Sequence, residues 1–188
     1  MRSRLTARTR ELFAAVCLAT GSLATGSLAT AQSTVSEAEL KAAYVFNFAK
    51  FAEWPTTSLA TAAAITICVV GKDPFGDALT HLESKTIQGR AVKVRRGLRA
   101  EELRGCHLAY FASADEKNWA DIQRAAESQA ILTLGEGDGF IDQGGMIGLV
   151  KRDNRIMFDV NVDASHRAGI RLSSQVLKLA RTVKGKPS

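Results

Sequence analysis

The sequence predicts a single α/β domain: a mixed, mostly parallel sheet flanked by helices, with a C-terminal β-hairpin and a long final helix. Three observations predict it. Short β-branched runs alternate with helical segments through the middle of the chain. Two alternating segments then meet across Asp153-Asn154, a residue pair suited to a tight hairpin. The chain that follows an N-terminal export segment is long enough to bury one core, and no repeat divides it.

Each element follows in order. Ser36 and Glu39 form an S-x-x-E capping box that opens a helix running to about Glu53. Leu40, Tyr44, Phe48 and Phe51 share one face of it, while Val45, Phe46 and Ala49 lie elsewhere around it. A helix apolar on so many sides has to be covered on more than one. Trp54-Pro55 ends it, because proline lacks a donor and disfavours helix in the residue before it. Ala64–Val70 reads as a buried strand. Gly71–Gly76 turns into a short helix over Asp77–Leu82. Ala91–Val94 is a second strand, Glu101–Leu103 a helical turn, and His107–Phe111 a third strand. A helix from about Glu116 to Ser128 leads to a fourth strand, Ile131–Leu134. Met146–Val150 and Arg155–Val160 form the hairpin, which makes one edge of the sheet antiparallel. The last helix spans Val162 to Val183, with Ala168, Leu172, Val176, Leu179 and Ala180 facing inward.

The N-terminus reads as a signal peptide over residues 1–31, followed by one domain over residues 32–188. Arg2, Arg4, Arg8 and Arg10 precede an apolar small-residue stretch, and Ala29-Thr30-Ala31 is a cleavage site before Gln32. Gly21, Gly26 and the many Thr and Ser argue against a retained membrane anchor. Cys17 lies too early for a lipidation site, so the mature chain is expected to be soluble and periplasmic. Removing four Arg and one Glu lowers the formal net charge from +6 to +3. The whole-chain basicity therefore overstates the case for nucleic acid, and no nucleic-acid partner is expected.

Catalytic chemistry is thinly represented. His81, His107 and His166 have no metal-ligand spacing with Cys, Asp or Glu. There is no C-x-x-C, G-x-S-x-G, Walker lysine or G-x-G-x-x-G motif. Neither an enzyme nor a cofactor is expected. Two loops are candidate ligand rims. In Gly71–Gly76, Asp73, Phe75 and Gly76 lie between a strand and a helix start, where free N–H groups favour anions. The competing reading is that Asp73 caps the helix and Pro74 occupies its first turn. In Gly135–Gly139, Asp138 and Gly139 either cradle a ligand or shape a connection, with Phe140 packing back onto the core. On the last helix, His166, Arg167, Arg171, Lys178 and Arg181 carry a basic face that either is simply solvated or docks an acidic partner, with the first four as the partner-surface candidates. Protonation of His166 would make such docking sensitive to pH near neutrality.

Cys68 and Cys106 remain after cleavage, and an even count in an oxidising compartment favours a disulfide. Cys68 lies late in its strand, whereas Cys106 precedes its own. As parallel neighbours they threaten to exceed the Cα spacing a bridge tolerates. A structural staple, a strained and reducible bond, and two buried thiols all stand as readings.

An ordered set of segments resembles the YfiR family of periplasmic regulators. It comprises Lys41–Pro55 (KAAYVFNFAKFAEWP), G-x-D-P-F-G at Gly71–Gly76, Ile131–Gly135 and Gly139-Phe140. It continues with Gly144–Ile147, Phe158–Asn161 (FDVN), Ala168–Ser174 and Leu177–Ala180, so that it covers nearly all of Val35 to Val183. The resemblance implies one α/β periplasmic domain that can dimerise and that acts by protein contact. Its best understood kind holds the periplasmic region of an inner-membrane diguanylate cyclase inactive. An outer-membrane lipoprotein can sequester that repressor, raising cyclic-di-GMP and favouring biofilm. Cys68 and Cys106 match a cysteine pair of that kind, while a second, C-terminal pair carried by some relatives is missing from this chain. The function expected is repression of such a membrane signalling enzyme or other sensor. The alternative is a small-ligand sensor or carrier for an anionic metabolite or nucleotide, with the Asp73 and Asp138 loops as its rim.

Overall fold

Ser36 caps the first helix as its spacing to Glu39 predicts. Its hydroxyl accepts from the Glu39 N–H at 3.2 Å, and its own N–H donates to the Glu39 carboxylate at 2.7 Å. A computed structural model describes residues 35–60, 62–112 and 119–186. The predicted export segment and the first residues of the helix expected from Glu116 lie outside that description. In chain order the elements are α1 (Glu37–Phe51), β1 (Ala52–Glu53), α2 (Thr56–Leu59), β2 (Ala64–Val70) and a 3₁₀ helix (Gly76–Ser84). Then come β3 (Thr86–Ile87), β4 (Arg90–Leu98), a 3₁₀ turn (Ala100–Glu102), β5 (Leu108–Phe111) and α3 (Trp119–Gln129). The chain finishes with β6 (Leu132–Glu136), β7 (Ile147–Arg152), β8 (Arg155–Asn161), α4 (Val162–Arg167), β9 (Arg171–Leu172), α5 (Ser174–Leu179) and β10 (Thr182–Lys184).

The main sheet runs β10-β8-β7-β6-β5-β2-β4-β3, parallel except for the β7–β8 and β3–β4 pairs. Strand alternation sorts its side chains into two cores. Ile65, Ile67, Val69, Leu108, Tyr110, Leu132 and Leu134 face α1, the long 3₁₀ helix and α5. Cys68, Val70, Ala109, Phe111 and Ile131 face the opposite way, toward Ile122 and Ala126 of α3. Both faces are covered, which is why β2 reads as a continuous apolar run. On α1 the buried stripe is Lys41, Val45, Phe48 and Ala49, with Ala42 beside it. The predicted Leu40–Phe51 face is therefore rotated, and Leu40 sits exposed at its margin.

The hairpin is present. Asp153 and Asn154 take φ of 47° and 58°, as a type I′ turn requires, and Arg152 pairs with Arg155. It does not close the sheet, however, because β10 adds to β8 in parallel. The long final helix is also not formed. Gly169, at φ +69°, ends α4 in the left-handed conformation that favours glycine. Ser173 then caps a new helix by accepting from the Val176 N–H. Between them Leu172 pairs with Ala52 in a separate two-stranded sheet. Leu179, expected inside, is 75% exposed.

Phe140 explains the glycines around it. The connection from β6 to β7 contains no helix, and Phe140 lies between Gly135 and Gly145, where a Cβ on either would strike the ring. It packs with Trp119 at 5.1 Å and Phe111 at 6.5 Å. Cys68 and Cys106 are joined, with Cα atoms 5.9 Å apart. The predicted mismatch does not arise because the 103–106 turn, closed by Cys106 N–H to the Leu103 carbonyl, carries Cys106 over the second core before β5 begins.

Candidate functional site

The two predicted ligand loops lie at the carboxyl ends of β2 and β6, where ligands commonly sit in such sheets. Both are occupied by their own side chains. Asp73 accepts from the Phe75 N–H at 2.7 Å and pairs with Arg96. Arg96 also donates to the Gly76 carbonyl at 2.7 Å and to Thr80 at 3.0 Å, so one guanidinium closes the loop. Phe75 is buried, edge-on to Tyr110 at 4.6 Å. Asp138 pairs with Arg152 at 2.8 Å and Arg181 at 3.4 Å, while the Gly139 carbonyl accepts from the N–H groups of Asp142 and Gln143. These residues edge a groove of about 560 Å³ with Asp142, Asp159 and Lys184, and that groove does not extend to Asp73.

Within that groove Arg181 makes a bidentate pair with Asp159, whose side chain is buried. The Arg181 hydrogen bond is the chief reason that the Asp159 carboxyl titrates below its usual range. The unfolded chain therefore binds more protons than the folded one below about pH 4, and stability falls as pH drops through that window. Arg181→Met should be less stable at pH 7 and should lose less stability between pH 5 and 3 than the wild type, read by denaturant unfolding at each pH. An unchanged acid limb would contradict this.

Sequence reasoning did not find the polar cluster beneath α1. Lys41 Nζ donates to Glu136 and Glu37, each at 2.8 Å, Glu37 also pairs with Lys151, and the Tyr110 hydroxyl donates to Glu136. Hydrogen bonds from Lys151 and Lys41 pull the Glu37 carboxyl down to about 2. Burial, reinforced by Glu136, pushes the Tyr110 hydroxyl well up. The Glu37–Lys41 spacing was a visible i,i+4 pair, but nothing local pointed to Glu136. The FDVN segment is likewise structural. Asn161 caps α4 through Ala164 N–H at 3.0 Å and donates to the Ile141 carbonyl at 2.9 Å.

The four basic candidates do not form one stripe, because the helix that would align them is broken. His166 and Arg167 end α4, Arg171 lies on β9, and Lys178 is exposed on α5. Arg167 pairs with Glu127 at 2.7 Å and Arg171 with Glu53 at 2.9 Å. Arg167 also lines a wide groove of about 790 Å³ at the amino end of the parallel strands. Its walls come from α2, the starts of β2 and β5, Lys93 of β4, the end of α3, and the α4–β9 turn.

His107 is fixed within this groove. The Thr66 N–H donates to its Nδ1 at 3.0 Å, and Trp54 Nε1 donates to its carbonyl at 3.2 Å. Burial, and to a lesser degree the charge of Arg90, hold its imidazole below the usual pKa. A neutral ring accepting at Nδ1 carries its proton on Nε2, so His107, one of the residues lining the groove, offers a donor there. Among the described residues no group of three or more His, Cys, Asp and Glu side chains is placed to hold a metal, and no helix is long and apolar enough to cross a membrane.

A family model described as YfiR/HmsC-like matches residues 38–181. Among solved structures the chain is similar to a conserved domain protein from Vibrio cholerae O1 biovar El Tor. Identity is 13%, covering 79% of this chain and 60% of that one, with a TM-score of 0.46. It is also similar to an ABC domain in complex with L-Trp from Streptococcus pneumoniae, at 12% identity, covering 65% and 56%, with a TM-score of 0.44. The chain thus spans less than two thirds of either structure's length.

Proposed function

The chain belongs to the YfiR/HmsC-like family, whose role is in general that of a periplasmic regulator, and from that premise we propose that it represses an inner-membrane signalling enzyme by direct contact. The target in this reading is a diguanylate cyclase, held inactive through its periplasmic sensor region. Residues 1–31 deliver residues 32–188 to the periplasm, and an outer-membrane lipoprotein and a second copy of the chain are further candidate partners. The observation that supports a contact mechanism is the wide groove at the amino end of the sheet, edged by Arg167. The ligand-sensor alternative needs Asp73 and Asp138 as a free rim, whereas both carboxylates are engaged by Arg96, Arg152 and Arg181.

Charge reversal at Arg167 and Arg171 tests the surface. The double variant Arg167→Glu/Arg171→Glu should bind the captured sensor roughly tenfold more weakly, a loss of about 1.4 kcal/mol. Reversal also places a carboxylate against Glu127 and Glu53, so Arg167→Gln/Arg171→Gln serves as the milder comparison. Unchanged affinity in folded variants would remove this face from the account.

A further inference from the structure

Resting on the partner reading above, we infer that the groove at the amino end of the sheet is a carboxylate-binding cleft for an acidic peptide segment of the partner, with His107 Nε2–H, Arg167 and Lys93 as its donors. Each donor has capacity left over. His107 spends Nδ1 on the Thr66 N–H, and its Nε2–H has no protein partner among the described residues. Arg167 meets Glu127 through Nε, which leaves both terminal nitrogens for a second carboxylate. Lys93 is exposed, with no ion pair among the described residues. The charges lining the groove are Lys93, Arg167 and Glu127, so the surface is net cationic even with Glu127 counted. Arg90 adds positive charge near His107.

Shape and rigidity favour a chain segment over a free metabolite. Small residues such as Ser58, Ala63, Ala130 and Gly169 line the groove, which encloses about 790 Å³. A small molecule is usually enclosed on most sides, whereas a wide, open groove suits a chain segment. The backbone that carries His107 and Lys93 is also held in place. Cys106 is tied to Cys68, His107 N–H donates to the Thr66 carbonyl at 2.9 Å, and Lys93 is registered opposite Thr66. Preset donors reduce the ordering cost of binding.

The test is to select a randomised twelve-residue peptide library on the folded wild-type protein and on two single-charge variants. Lys93→Glu alters the groove, while Lys72→Glu makes the same change in the loop beyond the carboxyl end of β2. The proposal expects enrichment of peptides bearing Asp or Glu, with affinity at least tenfold weaker for Lys93→Glu and unchanged for Lys72→Glu. The imidazole resonance of His107 should shift saturably with the selected peptide and not with its Asn/Gln counterpart. Enrichment without acidic residues, equal binding by Lys93→Glu, or a silent His107 would overturn it. So would displacement by succinate at concentrations comparable to the peptide's, which would assign the cleft to free carboxylates. Membrane capture by the same proteins separates the two claims: a sensor still captured by Lys93→Glu sinks the cleft and leaves the regulatory reading standing.

Discussion

Replacing both Cys68 and Cys106 with alanine lowers the unfolding free energy by roughly 4 kcal/mol in the chain-entropy model. The bridge spans a sequence separation of 38 and joins the late part of β2 to the turn before β5. It fastens a turn of the second core that lies outside the helices and strands. Arg95 steadies the same turn from outside, donating to the Arg104 carbonyl at 2.9 Å and the Glu102 carbonyl at 3.2 Å. Those bonds survive the substitution, so the variant should still fold at low temperature while its denaturant midpoint drops. Chemical unfolding of the wild type with and without reductant should reproduce the difference. Equal stability of bridged and unbridged protein would show that the turn is held by packing alone.

Phe140→Ala should cost about 3–5 kcal/mol, the range for a large aromatic removed from a core. The ring is 1% exposed and touches Trp119, Phe111 and the backbone at Gly135 and Gly145. The converse change tests the same contact. Gly135→Ala forces a methyl group into the ring and should cost about 1–3 kcal/mol by overpacking. Combined, the two should be clearly less than additive, since the alanine at 135 no longer meets a ring. Strict additivity would mean that Phe140 and Gly135 are not in contact.

The readable parts of the chain were those with a local signature. Ser36 with Glu39, the alternation around Asp153-Asn154 and the β-branched β2 each specify an element within a few residues. Phe140 was legible as a core residue, although its glycine neighbours were not legible as the walls of its slot. The final helix misled because residues 168, 172, 176 and 180 keep a helical period while Gly169 and Ser173, a stop and a start, interrupt it. The strands β1, β3, β9 and β10 run two or three residues each, too short for any period to register. The site was harder still. Arg167 was among the basic candidates, but the groove it lines draws on segments far apart in sequence, and the tautomer of His107 is set across strands by the Thr66 N–H. The Asp73 and Asp138 loops looked open because their partners, Arg96, Arg152 and Arg181, are distant in sequence.

The most direct measurement is affinity capture, with residues 32–188 immobilised, oxidised and folded, against detergent-solubilised membranes of the host, read by mass spectrometry. Repression by contact predicts recovery of a membrane protein with a periplasmic sensor region and a cytoplasmic GGDEF domain, whose cyclic-di-GMP synthesis falls when the purified chain is added. Recovery of no membrane protein above background, or a captured cyclase whose activity is indifferent to the chain, would contradict repression by contact.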